Sequence, residues 1–110
     1  MDKALRGEID QLHAELCQGL ADSRRIAILY ALSEGSKNVS ELMETLEMSR
    51  ATATRHLKVL RESNMVDTQR EGVSIYYSLA DERIVKALDL LREVLAGILA
   101  QRKALAEALE

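Results

Sequence analysis

Ser49-Arg50-Ala51-Thr52-Ala53-Thr54-Arg55-His56-Leu57-Lys58-Val59-Leu60-Arg61 is the stretch on which the reading of this chain turns. Serine is a good N-cap, and Ala53, Leu57 and Leu60 recur at helical spacing, so the segment predicts a helix capped by Ser49 with one apolar face. Arg50, Thr54 and Lys58 lie four apart on another side, with Ala51 and Arg55 beside them. Arg50, Arg55, Lys58 and Arg61 are basic, and the segment has no acid. Small side chains let a backbone approach base edges, while arginines can reach guanine or phosphate. A basic helical face alone is usually just a solvated one, so the flanking segments have to decide.

Upstream, Asn38-Val39-Ser40-Glu41 has the spacing of a capping box and predicts a short helix burying Val39, Leu42, Met43 and Leu46. Glu47-Met48-Ser49 is a tight connection. Downstream, Asn64 closes the basic helix, because Asn tolerates positive φ. The periodicity then switches to two. Met65–Arg70 and Val73–Leu79 read as strands joined through Glu71-Gly72. Val73, Ile75, Tyr77 and Leu79 share one face, and Ser74, Tyr76 and Ser78 the other, which predicts a hairpin with one wet side. Two short helices on a three-residue turn, then a hairpin, is the order of a winged helix-turn-helix, whose second helix can enter a DNA major groove. Arg70, next to Gly72 in the wing, suits a minor-groove or phosphate contact.

The outer segments point to a second copy of the chain. Residues 2–20 place Leu5, Ile9, Leu12, Leu16 and Leu20 on one helical stripe. Asp22 caps a second helix with Ile26, Leu29 and Leu32 facing inward. Asp81 caps a last helix running nearly to Glu110. Its Ile84, Leu88, Leu91, Leu95, Ile98, Arg102, Leu105 and Leu109 form a heptad seam interrupted only by Arg102. So small a domain cannot cover such a seam, so the seam is expected to meet itself in a homodimer, helped by the stripe of the first helix.

The predicted fold is therefore mainly α (α+β): five helices and a β-hairpin wing in one domain, 1–110. Residues 1–20 and 81–110 are the dimerisation helices, 38–63 the helix-turn-helix and 65–79 the wing. The chain has no Trp, Phe or Pro, so Leu, Ile, Val, Ala and Met must build the core. The net charge of −3 argues mildly against nucleic acid, but the acids gather elsewhere, on the third and last helices. No apolar run approaches the roughly 20 residues of a membrane span. The charged N-terminus does not read as a targeting segment, and one cysteine excludes an internal disulfide, so a cytoplasmic location is expected. No nucleophile elbow, phosphate loop or HExxH occurs, which argues against an enzyme. A winged helix that binds only protein partners is the competing reading, disfavoured by the basic set.

Ala21-Asp22-Ser23-Arg24-Arg25-Ile26-Ala27-Ile28-Leu29, Ser40-Glu41-Leu42, Ser49 through Leu60, and Arg70-Glu71-Gly72 with Tyr76-Tyr77-Ser78-Leu79 resemble the ArsR/SmtB family of bacterial repressors. The resemblance covers roughly residues 16–81. It implies a homodimer on an inverted-repeat operator, released by an inducer. It also implies that Arg50, Thr52, Thr54, Arg55 and His56 fall at recognition-helix positions facing DNA, and Arg70 and Gly72 in the wing; His56 more often braces the turn or touches phosphate than reads a base. The family's metal sites do not carry over. Its Cys-x-Cys aligns with Asn38 and Ser40, its Asp-x-His with Asp81 and Arg83, and its later pair with Val94 and Gly97. No metal and no cofactor is therefore expected. His13 and Cys17, spaced i, i+4, are the remaining sensor candidates, for a thiol-responsive repressor using Cys17 or a metal-responsive one using both, with a small buried cysteine as the plainer alternative; the inducer is unidentified.

Overall fold

The computed structural model describes residues 1–110. The order is α1 (Lys3–Glu15), α2 (Ser23–Ser33), α3 (Val39–Leu46), α4 (Arg50–Glu62), β1 (Val66–Glu71), β2 (Ser74–Leu79) and α5 (Arg83–Ala108), with a 3₁₀ turn at Cys17–Leu20.

The helices start where short polar side chains replace missing N–H partners. Asp22 accepts from the Arg24 amide at 2.8 Å, and Ser49 from the Thr52 amide at 3.1 Å. Asn38 accepts from Glu41 N–H at 2.8 Å while Glu41 accepts from Asn38 N–H at 3.1 Å, the reciprocal box expected from the spacing. Asp81, expected as the cap of α5, takes the Arg83 amide at 2.8 Å from one residue further out; the N-cap is Glu82, whose side chain makes no capping bond.

One hydrophobic core joins these elements. Ile28, Leu29 and Leu32 of α2 meet Leu42 of α3, Leu57 and Leu60 of α4, Met65, Val66 and Leu88. Each such aliphatic side chain contributes about 1.5–3 kcal/mol when fully buried. α2 is the hub, packed against α3, α4, β2 and α5. In α3 only Leu42 is fully buried; Val39, Met43 and Leu46 are half-buried, because the short helix lies on the edge of the core.

Three expectations need correction. The first helix does not run through residues 2–20. It stops at Glu15, and a 3₁₀ turn follows. Gly19 in that turn is buried so tightly that a Cβ would lie 3.2 Å from Ser63 Cβ and from Met65 Sδ. The wing turn is Gly72-Val73 rather than Glu71-Gly72. Glu71 still pairs with Ser74, and Gly72 has φ +63°, as a two-residue hairpin loop with glycine first requires. Nor is the hairpin cleanly wet on one side: Val73 is fully exposed at the tip, Ile75 is exposed, and Ser74, Tyr76, Tyr77, Ser78 and Leu79 are all half-covered. Tyr77 also exchanges both backbone hydrogen bonds with Lys37, at 3.0 and 2.8 Å, so the segment before α3 covers the outer edge of β2.

The expected positive φ of Asn64 is present at 60°. Glu47 is a second such residue, at 51°, and closes α3. This conformation costs a non-glycine residue about 1–2 kcal/mol. It is sustained here by the Met48 amide, which donates to Met43 O at 3.2 Å.

Candidate nucleic-acid interface

α4 is held from beneath and open above. Ala53, Leu57 and Leu60 are fully buried, while Arg50, Thr54, Arg55, Lys58 and Arg61 are exposed. Ser49 fixes the start of the helix, and its hydroxyl also donates to Thr52 Oγ1 at 3.0 Å. Thr52 is consequently half-buried and occupied with the cap. Arg50 reaches back across the turn, where its Nη2 donates to Ser40 Oγ at 2.9 Å and ties α4 to the first turn of α3.

Three ion pairs occur in the protein: Arg24–Asp22, Arg83–Asp81 and Arg92–Asp89. None involves Arg50, Arg55, Lys58, Arg61 or Arg70. The basic side chains of α4 and the wing therefore keep their charge unneutralised. Arg70 stands exposed near the end of β1, two residues before Gly72.

His56 does not share this face. It is buried, 3% exposed, because it occupies the inward side of α4 beside Leu57. Its Nδ1 lies 3.3 Å from Arg25 Nη1, and its Nε2 has no partner. Burial first, then the nearby Arg24, Arg25 and Arg55 guanidiniums, hold its pKa below the ordinary histidine value, against an upward pull from Asp22. Of the two roles offered for His56, bracing fits this position and a DNA contact does not. Ser40 and Arg25 are the residues that sequence reasoning left out. They act across 10 and 31 positions, distances that no local periodicity reports.

The groups aligned with the family's metal ligands are otherwise engaged. Asn38 Oδ1 caps α3, and Ser40 Oγ accepts from Arg50. Arg83 Nη2 sits 2.7 Å from Asp81 Oδ2, and chiefly that side-chain bond lowers the Asp81 pKa to about 2. His13 and Cys17 do not share a helix face: α1 ends between them, so the i, i+4 geometry of one α-helix does not apply. His13 is exposed, while Cys17 is half-buried. The thiol's neighbourhood is a cleft of about 500 Å³ lined by Leu12, Leu16 and Leu20 on one side and Ile84, Leu88 and Leu91 on the other.

The helices expected at a dimer interface divide into two parts. Leu88 is spent in the chain's own core, and Ile84 and Leu16 are half-buried against it, because the first turns of α5 lie over α2. Leu5, Ile9, Leu12, Leu91, Leu95 and Ile98 are exposed. No helix is long and apolar enough to cross a membrane.

Comparison with known proteins agrees with this architecture. The family model described as "Bacterial regulatory protein, arsR family" matches residues 22–68, from the cap of α2 into β1. An HTH-type transcriptional regulator of Mycobacterium tuberculosis is 35% identical over 100 residues, 90% of this chain and 88% of that protein. The cadmium resistance transcriptional regulatory protein CadC homolog of Staphylococcus aureus is 35% identical over 77 residues, 69% of this chain and 64% of its own length. The solution structure of a homodimeric winged helix-turn-helix DNA-binding domain from Mycobacterium bovis superposes with a TM-score of 0.75 at 28% identity, covering 90% of this chain and 91% of that one. By its fold and by these relatives, the chain belongs to the ArsR family of bacterial regulatory proteins.

Proposed function

We propose that the protein is a homodimeric, sequence-specific DNA-binding repressor of the cytoplasm that reads an inverted-repeat operator through α4. The observation that carries this reading is the row of exposed, unpaired cations on α4, continued by Arg70 on the wing, in a chain whose net charge is negative. Arg50, Thr54 and Arg55 face base edges in the major groove. Lys58 supplies a phosphate contact, as does Arg70 in the wing beyond the groove. Ser49, Thr52 and Gly72 shape the surface from within, as cap, cap partner and wing turn.

The dimer forms along Leu5, Ile9, Leu12 and Leu16 of the arm and Ile84, Leu91, Leu95 and Ile98 of α5. Leu88, Leu12 and Leu16 meet at the cleft between these two stripes, which continues the exposed apolar surface and receives side chains of the second copy. Two reading helices about 34 Å apart would then meet successive major grooves on one face of the duplex. Release follows an inducer other than a metal at the family's positions, since Asn38 and Ser40 offer no thiolate, Arg83 pairs with Asp81, and Val94 and Gly97 carry no ligand atom. Cys17 and His13 remain the sensor candidates, as separate groups rather than as a pair.

The test is a mobility shift with genomic fragments in excess competitor DNA, together with sedimentation of the free protein. A fragment retained against competitor by a dimer supports the reading. A monomer, or no fragment retained, overturns it and favours the protein-interaction module; uniform binding to all fragments overturns sequence-specific reading.

A further inference from the structure

The side chain of Arg25 is placed to hold the reading helix against the arm. Its Nε donates to Gly19 O at 2.9 Å and its Nη2 to Gln18 O at 3.2 Å, both in the 3₁₀ turn that ends the arm. Its Nη1 faces His56 Nδ1 at 3.3 Å, on the inner side of α4. A guanidinium has only donors. The contact is a hydrogen bond only if His56 Nδ1 is a bare acceptor, so the imidazole must be neutral with its proton on Nε2. That N–H points into a buried space with no acceptor, an arrangement that costs free energy and that the Arg25 contact offsets.

We infer that Arg25 is a positioning residue, which fixes α4 relative to the dimer arm through the neutral imidazole of His56, and that protonation of His56 releases this brace and weakens specific DNA binding. A second proton would occupy Nδ1, remove the acceptor and set cation against cation in a buried place. The charged groups facing the imidazole are Asp22, Arg24 and Arg25, from α2 and its cap, and Arg55 on α4 itself. The 3₁₀ turn presents only carbonyls to Arg25. Asp22 alone favours the proton, so the brace is closed at neutral pH and opens in acid. The expected direction is distinctive, because acid otherwise adds positive charge to a protein and tightens non-specific binding to phosphates.

The inference rests on α4 being the DNA-facing helix, and the experiment separates the two ideas. The full chain has only two histidines, so long-range proton–nitrogen spectra of the labelled protein resolve His56 from the exposed His13. His56 should carry its proton on Nε2 at neutral pH, and Arg25→Gln should move its titration upward. Duplexes are then selected from a random pool by the wild-type protein at pH 7.5. Wild-type affinity for them should fall about tenfold or more between pH 7.5 and 5.5. His56→Gln keeps an acceptor for Arg25 but cannot titrate, so it should bind within about threefold of wild type at pH 7.5 and stay flat. Arg25→Gln, the alternative should His56→Gln fail to fold, lacks the brace at every pH, so it should bind more weakly at pH 7.5 and lose little further affinity down to pH 5.5. A proton on Nδ1 at neutral pH, or an unchanged acid loss in His56→Gln, overturns the inference. If the pool yields no enriched duplex, the nucleic-acid reading fails, while the spectra still decide whether the brace exists.

Discussion

Arg50 and Arg55 have the same side chain on the same helix but start from different states. Arg50 donates to Ser40 and would have to give up that bond to reach a base, whereas Arg55 makes no hydrogen bond or ion pair within the chain. Arg55→Ala should cost about 1–3 kcal/mol on the selected operator and relax the preference at one base pair. Titration against single-base operator variants measures this, and an equal loss on random DNA would remove Arg55 from base reading. Arg70→Ala should weaken all sequences alike and lower the salt slope by roughly one unit, if one phosphate is lost. His56 carries a stability prediction as well. Its folded pKa lies below its unfolded one, so the unfolded chain binds more protons and stability rises with pH. The contribution is complete above the ordinary histidine value of about 6.5, declines below it and is lost as pH falls through the lower folded value. Thermal melts of wild type should therefore drop between pH 7.5 and 5.5, and those of His56→Gln should drop less.

Among the elements, α3 is the short one that must stay formed for α4 to be presented. It has eight residues, ends at the strained Glu47, and relies on the reciprocal box between Asn38 and Glu41. Helices of this length are not stable alone in water. Asn38→Ala should cost about 0.5–2 kcal/mol of unfolding free energy, read from urea melts. Operator affinity should change little where the protein remains folded, because Asn38 supports the helix rather than the contact. A melt indistinguishable from wild type would show that packing of Leu42, rather than the cap, sustains α3.

Taken whole, the molecule is a head with a rod projecting from it. α5 has 26 residues, about 39 Å at 1.5 Å per residue, and only its first turns are covered by the head. Leu88 anchors it in the core. The one side-chain hydrogen bond between head and rod is donated by Tyr30 Oη of α2 to Asp89 of α5 at 2.6 Å, with Arg92 stacked 5.2 Å from the Tyr30 ring centroid. Beyond that point the apolar stripe has no cover in the single chain. Leu95→Glu should turn the dimer into a folded monomer, seen as halved mass in sedimentation with an unchanged far-UV spectrum, and abolish retention of operator against competitor. A variant that remained dimeric would place the interface elsewhere.

The sequence alone determined the order and kind of the elements. Capping side chains, the 3.6 and 2 periodicities and the apolar rows are local signals, and Asp22, Asn38, Ser49, Ala53, Leu57 and Leu60 stand where those signals put them. The acid-free run from Ser49 to Arg61 likewise marks α4 by composition alone. Only the tertiary structure decided which residues of a legible helix turn inward for a distant partner. It withdrew His56 from the outer face and set it against Arg25, spent Leu88 in the core, tied Arg50 to Ser40, and ended α1 early so that Gly19 could pack on Ser63 and Met65. Each of these depends on contacts between residues far apart in the chain. Such contacts are fixed by how whole elements pack around α2, which the spacing of residues within one element does not encode.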